Sequence, residues 1–206
     1  MSTNVVYFIQ SLKTTERLKY INKNRKKFQD LKIFKAINGY DIDKTTNEFL
    51  NSNIKYHNLN MPTYGTLANF LTKVNAFKHQ VENNIAYMCL IEDDLILRNN
   101  FKNFIKNKLH LLKDCNLLRL SKWGEGYVTS LAGAKNILNH IYDQGIILNI
   151  DNQLRLHCGN EIQLNNTPFN LVVPTNKGDC LKTKKISEEE IIKFKNYVPL
   201  IIPQII

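Results

Sequence analysis

Short apolar runs alternate with stretches of helical periodicity in the first part of the chain. Residues 5–9 form an apolar run rich in β-formers, which predicts a buried strand. Apolar positions then recur at helical spacing over 18–28, and the run 32–37 predicts a second strand before the turn signal Asn38-Gly39. This β-α-β opening is typical of a layered α/β sheet.

The middle of the chain repeats the alternation after a polar stretch. Residues 41–62 are rich in Asn and show little periodicity, which predicts a loop with one short helix. Between Leu67 and Val81 the apolar residues share one helical face, which predicts a helix of about four turns that ends at Asn83-Asn84. The run 86–91 predicts another buried strand, and it leads directly into an acidic triplet.

The remaining sequence predicts shorter elements. A capping box at Ser187 to Glu190 predicts the start of a last helix. The other expectations are a helix near 100–112, strands at 116–120, 127–130, 146–150 and 171–173, and a helix over 131–142 that Gly145 ends.

Composition excludes several classes of protein. The 206 residues are 43% apolar and 22% charged, close to globular averages, which excludes collagen, coiled coil and whole-chain disorder. No run reaches the roughly 18 apolar residues of a membrane helix, and the first residues lack the features of a signal peptide. The four cysteines form no CxxC pair, which favours reduced thiols over structural zinc. We expect a cytoplasmic protein, in the host cytoplasm if its origin is viral, without a membrane span.

The chain is strongly basic, with a net charge of +10 that comes from 23 Lys and only 5 Arg. This balance is weak evidence for an anionic ligand. Nucleic-acid readers rely on Arg for bidentate contacts, so we expect no stable nucleic-acid partner. The basic groups at 23–27 and 182–185 keep a nucleic-acid-binding module as an alternative, although five consecutive positions wrap around a helix.

The acidic triplet Glu92-Asp93-Asp94 lies at the carboxyl end of a predicted strand, where ligands bind in open α/β sheets. Adjacent carboxylates repel one another unless a cation or hydrogen-bond donors compensate them. Mg²⁺ and Mn²⁺ prefer oxygen ligands and often bridge to phosphates. The triplet therefore indicates a metal or nucleotide site, and the alternative is an acidic helix N-terminus.

Further motifs follow in an order that points to a known family. They are an apolar strand with a polar turn and an Arg, an Ala-x-x-Gly segment, a helix-opening Gly, the acidic triplet, an aromatic-x-x-Ser segment with Gly-Ala, and a later Asp. Here these are residues 5–9 with Ser11-Leu12 and Arg17, Ala36-Ile37-Asn38-Gly39, Gly65, Leu90-Ile91-Glu92-Asp93-Asp94, Tyr127 with Ser130, Gly133-Ala134 and Asp151. From residue 5 to about 154, the chain resembles the family-25 glycosyltransferases, which include lipopolysaccharide and collagen sugar transferases, and especially the glycosyltransferase domains of large DNA viruses.

The resemblance implies an α/β fold of the GT-A type, with a single mixed, mostly parallel sheet flanked by helices. Residues 1–206 would form one domain, in which about 1–100 bind the nucleotide sugar and about 101–180 bind the acceptor. Residues 181–206 would add a C-terminal helix and tail. One departure lies on the long helix, where the family often has Gly-Cys and Ser-His but this chain has Ala68-Asn69 and Thr72-Lys73.

The resemblance also implies a chemistry. The protein would transfer a hexose from a nucleotide-diphosphate sugar, with a UDP-sugar as the first candidate, to a glycan or glycoprotein. The reaction would invert the configuration of the sugar and would use Mn²⁺ or Mg²⁺. By the same resemblance Asp94 binds the metal, while Asp93 and Glu92 face the donor. Glu92 and His157 are further candidate metal ligands, although a lone His is more often structural.

Other residues are candidates for donor binding and catalysis. Arg17 and Lys73 would bind the diphosphate, and the alternative for each is a place on a solvated helix face. Ser11 would contact the base or ribose. Trp123 would stack on the sugar ring, and the alternative is a Trp of the core. An inverting transferase needs a base for the acceptor hydroxyl, and Asp151 is the first candidate and Glu125 the second.

A metal-dependent phosphoryl-transfer enzyme is the main alternative activity, because it also uses clustered acids. Such an enzyme usually adds ligands in a recognisable motif, and no HxH or HD pattern occurs in the sequence. A DxDxT string does occur, at Asp41-Ile42-Asp43-Lys44-Thr45, within the polar stretch 41–62.

Overall fold

The computed structural model describes residues 4–57, 63–122, 124–156, 158, 160–171 and 182–198. These residues form eight strands, seven α-helices and one 3₁₀ helix. Their order is β1 (Val5–Ser11), α1 (Thr15–Lys27), β2 (Lys32–Lys35), α2 (Ile42–Asn51), α3 (Tyr64–Glu82), β3 (Tyr87–Glu92), β4 (Leu95–Leu97), α4 (Phe101–Lys106), the 3₁₀ helix Leu109–Lys113, β5 (Leu117–Arg119), β6 (Gly126–Ser130), α5 (Leu131–Gln144), α6 (Ile150–Leu156), β7 (Glu161–Gln163), β8 (Phe169–Leu171) and α7 (Glu188–Asn196).

Six strands form one mixed sheet in the order β2-β1-β3-β6-β5-β7. Strand β1 pairs in parallel with β2 and β3, and β5 pairs in parallel with β7. Only β6, within this sheet, runs antiparallel to its neighbours. The carboxyl ends of β1, β3 and β5 therefore meet the start of β6 at one edge. The expected mixed, mostly parallel sheet with flanking helices is confirmed. It is not the single sheet that was expected, because β4 and β8 pair separately in a two-stranded antiparallel sheet.

Side chains alternate between the two faces of the sheet, and each face packs into its own hydrophobic cluster. Tyr7 and Ile9 point into the cluster that includes residues of α1 and α4, while Phe8 belongs to the cluster of α2, α3, α5 and α6. Burial on both faces explains why β1 and β3 read as continuous apolar runs.

Three glycines of the sequence motifs have packing roles. A Cβ atom on Gly39 would lie 2.4 Å from the Cα of Gly65, so the loop after β2 touches the start of α3. A Cβ on Gly133 would lie 2.1 Å from the carbonyl oxygen of Asn116. Only glycine allows backbones to approach this closely, so these motif positions set the placement of α3 and α5.

The predicted strand at 146–150 is wrong. Ile146 forms only an isolated bridge to Tyr56, and α6 begins at Ile150. The run is apolar because Ile146 and Ile150 are both buried in the core. The buried side chain of Gln153 accepts hydrogen bonds from the backbone N–H groups of Ile147 and Leu148, at 3.0 and 3.2 Å, and so replaces a neighbouring strand.

Other boundaries differ from the expectations in smaller ways. The helix expected near 100–112 is divided into α4 and the 3₁₀ helix. The polar stretch contains the ten-residue helix α2, while β4 and β7 were not expected. The predicted strand at 171–173 starts earlier, as β8, and residues 172 and 173 lie outside the described part of the chain.

Several local predictions are confirmed. Gly145 follows α5 with a φ of 71°, and Ser187 and Glu190 form both hydrogen bonds of a capping box at the start of α7. Cys89, Cys115 and Cys158 are buried free thiols. None of the helices in the described residues has the length and apolar character needed to cross a membrane.

Candidate active site

The carboxyl edge of the sheet brings the acidic triplet and most of the other candidate residues together. Ser11 ends β1 and Glu92 ends β3, and Gln10 is the register partner of Glu92. The chain then turns through Asp93 and Asp94 before β4. Two groups of charged side chains meet here, one centred on Arg17 and the other on Lys73.

The arginine cluster consists of Ser11, Arg17, Asp93 and Asp94. Arg17 Nη1 lies 3.2 Å from Asp94 Oδ2 and 3.7 Å from Asp93 Oδ1. The hydroxyl of Ser11 donates a hydrogen bond to Asp93 Oδ2 and accepts one from the backbone N–H of Lys13 at 2.9 Å. Asp94 Oδ1 is buried and has no hydrogen-bond partner among the described residues. One carboxylate oxygen of this cluster is therefore left with unsatisfied hydrogen-bonding capacity among the described residues.

The lysine cluster consists of Lys73, Glu92, Gly124, Tyr127 and Asp151. Lys73 Nζ lies 2.7 Å from Asp151 Oδ1, 3.3 Å from Glu92 Oε1 and 3.4 Å from the carbonyl oxygen of Gly124. The Tyr127 hydroxyl donates to the same Asp151 oxygen at 2.5 Å. The Lys73 side chain is 1% exposed, whereas those of Glu92 and Asp151 are 28% and 32% exposed. The cluster thus joins the end of β3 to the start of α6 through one buried cation.

Gly124 fits this cluster because it lacks a side chain. Its φ is +84°, and a Cβ atom would lie 2.4 Å from the Tyr127 hydroxyl and 2.7 Å from Asp151 Oδ1. The preceding turn is held by Ser121, whose hydroxyl accepts from the backbone N–H groups of Gly124 and Glu125, both at 3.2 Å. The sequence signal for this turn was its pair of glycines.

The comparison with family models decides the class of this site. Residues 4–147 match the model of glycosyltransferase family 25, which is described as an LPS biosynthesis protein family. The chain belongs to glycosyltransferase family 25. The comparison with curated proteins gave no match. The match covers both clusters except Asp151, which lies four residues beyond its end.

Membership of family 25 makes the protein a glycosyltransferase, which uses a sugar donor and an acceptor. The likeness to viral domains, the cellular compartment and the expected lack of a nucleic-acid partner stay predictions. The individual roles of the site residues also stay predictions.

Burial and charge shift the pKa values of this glycosyltransferase site. Burial alone would lower the pKa of Lys73, but the nearby Asp151, Tyr127 and Glu92 raise it well above its usual value. Burial raises the pKa of Glu92 to about 7, assisted by the charges of Asp94 and Asp151 and opposed by Lys73. Burial also raises the pKa of Asp93, against the effects of Ser11 and Arg17.

The described residues offer one unpaired carboxylate oxygen, but no complete set of ligands, for a divalent cation. Within the described residues, no three His, Cys, Asp or Glu side chains are arranged to hold a metal ion. Instead, the triplet is compensated by Arg17 and Lys73, which supply the positive charge that adjacent carboxylates need. The buried open oxygen Asp94 Oδ1 fits one ligand position of an ion that takes its other ligands from water and phosphate.

The remaining candidates have different positions. Glu125 accepts a hydrogen bond from the Ser121 hydroxyl through its carboxylate, and its carbonyl oxygen accepts from the backbone N–H of Glu92 at 2.9 Å. Trp123 and His157 lie outside the described residues, so their roles stay predictions.

Three side chains at the site, those of Gln10, Asn69 and Tyr127, were not among the predicted site residues. Gln10 Nε2 donates to Asn69 Oδ1 at 3.1 Å and to Glu92 Oε1 at 3.4 Å. Tyr127, a motif residue without an assigned role, contacts Asp151 directly. For Gln10 the sequence did hold a signal, because a polar residue ends an otherwise apolar strand next to the site.

Proposed function

We propose that the protein is a metal-dependent glycosyltransferase of the GT-A type. It transfers a hexose with inversion from a nucleotide-diphosphate sugar, with a UDP-sugar as first candidate, to a glycan or glycoprotein acceptor. The observation that supports this most is the meeting of two carboxylate clusters at the carboxyl edge of the sheet, one with an open oxygen on Asp94 and one that holds Asp151. The mixed sheet and its flanking helices are compatible with this architecture.

The charge balance favours a divalent cation. Glu92, Asp93, Asp94 and Asp151 face two paired basic side chains, Arg17 and Lys73. A nucleotide diphosphate adds further negative charge, so its binding without a counter-ion would be opposed by Coulomb repulsion. Burial is the largest cause of the raised pKa of Glu92, and the charges of Asp94 and Asp151 add to it. Uptake of Mn²⁺ or Mg²⁺ together with the donor would relieve the repulsion.

Asp94 is the proposed protein ligand for this ion through its open oxygen Oδ1. Small hard cations are commonly held by one or two carboxylates plus substrate phosphates and water, so a single open carboxylate is a suitable partner. A divalent ion bound there would supply the positive charge that stabilises the departing nucleoside diphosphate. Arg17, on the other oxygen of Asp94, holds this carboxylate in place.

Asp151 is the proposed general base. The acceptor oxygen forms a bond to the anomeric carbon, while the bond from that carbon to the diphosphate breaks and its electron pair leaves with the diphosphate. The acceptor proton passes to Asp151, whose Oδ1 is held by Lys73 and Tyr127 and whose side chain is 32% exposed. Glu125, whose carboxylate already accepts from Ser121, is the second candidate.

Calorimetric titration of UDP, GDP and dTDP, each with and without Mn²⁺, tests the proposal. We expect one of them to bind, with an affinity that rises when Mn²⁺ is present and with a rise that Asp94→Asn removes. Asp143→Asn is the matched control, because Asp143 is an exposed carboxylate at the end of α5. No binding of any diphosphate, with or without Mn²⁺, would contradict the proposal.

A further inference from the structure

Lys73 is a lysine whose charge is enclosed by the protein. Its side chain is 1% exposed, and an ammonium group has three hydrogens to donate. Three acceptors lie within 3.4 Å of Nζ, namely Asp151 Oδ1, Glu92 Oε1 and the carbonyl oxygen of Gly124. The ammonium group also lies 5.0 Å from the centre of the Tyr127 ring. The ammonium group is therefore enclosed by protein groups, with hydrogen bonds to Asp151 and Gly124 and an ion pair to Glu92.

We propose that Lys73 and Tyr127 are positioning residues for Asp151, and that Lys73 acts on the acceptor side of the reaction. The inference rests on the proposed role of Asp151 as the general base. It differs from the sequence-based expectation, which gave Lys73 a place on the donor diphosphate.

The two donors hold one edge of the Asp151 carboxylate. Lys73 Nζ and the Tyr127 hydroxyl both approach Oδ1, at 2.7 and 2.5 Å. Among the described residues, none donates a hydrogen bond to the second oxygen, Oδ2. Two bonds to Oδ1 from buried groups fix the rotation of the carboxylate, so that the oxygen without a partner keeps one direction. A base must lie within hydrogen-bond reach of the proton that it takes, so this fixed direction is what catalysis requires.

Lys73 also balances the charge around Asp151. The electrostatic neighbours of this carboxylate come from four other elements: Lys73 of α3, Tyr127 of β6, Glu92 of β3 and Glu161 of β7, while Arg155 follows on its own helix α6. Two of these neighbours are carboxylates, and Lys73 is the cation in direct contact with Asp151 that offsets their charge. Loss of the Lys73 charge would leave Asp151 facing these carboxylates without the contacting cation.

Donor hydrolysis, with water in place of the acceptor, tests the assignment through Lys73→Met and Tyr127→Phe. For Lys73→Met we expect kcat to fall about 10²-fold while the donor KM stays within about threefold of the wild-type value. For Tyr127→Phe, which keeps the ring, we expect a fall of about tenfold. In both variants, the rise of kcat with pH should move to higher pH, because the ionised base has lost a stabilising partner.

The controls separate this inference from the proposed function and from a loss of folding. Lys78 lies on the same helix as Lys73, and its ammonium group lies over the ring of Tyr142. The control Lys78→Met should leave kcat, KM and the pH profile unchanged. If Lys73→Met only reduced the amount of folded protein, its apparent kcat would fall but its pH profile would not move. In that case Tyr127→Phe decides, and an unchanged kcat and pH profile in this variant would overturn the assignment. A tenfold or greater rise of KM at constant kcat would overturn it as well, because Lys73 would then bind the donor. If the wild-type protein binds a diphosphate but hydrolyses no donor, the role of Asp151 is overturned, and with it that of Lys73. If the wild-type protein binds no diphosphate, the proposed function itself is contradicted.

Discussion

The arginine cluster and the lysine cluster lie side by side, but the protein treats their carboxylates differently. In the arginine cluster, Asp94 keeps one buried oxygen that has no partner in the described part of the chain, and Arg17 remains partly exposed. In the lysine cluster, the cation is almost completely buried and is held by hydrogen bonds to Asp151 and Gly124 and by an ion pair with Glu92. A carboxylate with an open oxygen suits a ligand that arrives with the substrate, whereas a carboxylate fixed by buried donors suits a base whose direction must not change.

Asp94→Asn should cause the largest change, because it alters the cluster that we expect to bind the metal. The amide oxygen is a weaker ligand and the amide carries no charge, so Mn²⁺-dependent donor hydrolysis should fall by about 10²–10³-fold. Asp143→Asn, an exposed change at the end of α5, should leave the rate unchanged. Equal rates for Asp94→Asn and the wild-type protein would remove the distinction between the clusters.

Lys73→Met should have the next largest effect, this time on stability. The change leaves Asp151 and Glu92 without their shared cation, and we expect a loss of about 2 kcal/mol, less than for a fully buried pair because both carboxylates are partly exposed. Adding Asp151→Asn to this variant should recover part of the loss in urea unfolding. Additive effects of the two substitutions would show that the ammonium and the carboxylate are not coupled.

Gly124→Ala should disturb the lysine cluster through the backbone. A methyl group at this position meets the Tyr127 hydroxyl and Asp151 Oδ1, and the residue has a φ of +84°. We expect a loss of about 1–2 kcal/mol in the free energy of unfolding, together with a fall in kcat but little change in diphosphate affinity. The matched change Gly126→Ala, whose nearest contact of 3.1 Å is the end of the Ile91 side chain, should have the smaller effect on kcat.

The pH dependence of stability sharpens the comparison at Glu92, which belongs to both the triplet and the lysine cluster. Its pKa is raised from 4.5 to about 7 in the folded protein. A raised pKa contributes stability that is full below 4.5 and is lost as the pH rises through about 7. The free energy of unfolding of the wild-type protein, relative to Glu92→Gln, should therefore decrease across this range. A difference that stays constant with pH would contradict the raised pKa.

The sequence was sufficient for the features that depend on local patterns. Strands β1 and β3, helix α3 and the capping box of α7 follow from apolar runs, helical periodicity and two residues at fixed spacing. The run at 146–150 could not be resolved in this way, because burial in the core makes a sequence apolar whether or not it pairs as a strand.

The contacts of the site depend on tertiary structure to a greater extent. The acidic triplet marks the correct edge of the sheet, but nothing local shows that Arg17 and Lys73 already compensate it. Lys73 did carry a signal, since it lies on the same helical stripe as Phe70 and Phe77, and all three are buried. A lysine on an apolar stripe needs a buried partner, and only the fold shows that this partner is Asp151, which lies 78 residues later.

Diphosphate affinity measured in parallel for Asp94→Asn and Lys73→Met tests the division between the two clusters most directly. The nucleotide that binds the wild-type protein is titrated into both variants with and without Mn²⁺. We predict that Asp94→Asn loses the gain in affinity from Mn²⁺, whereas Lys73→Met keeps it to within about threefold. Equal losses in both variants, or a full Mn²⁺ effect in Asp94→Asn, would contradict the account.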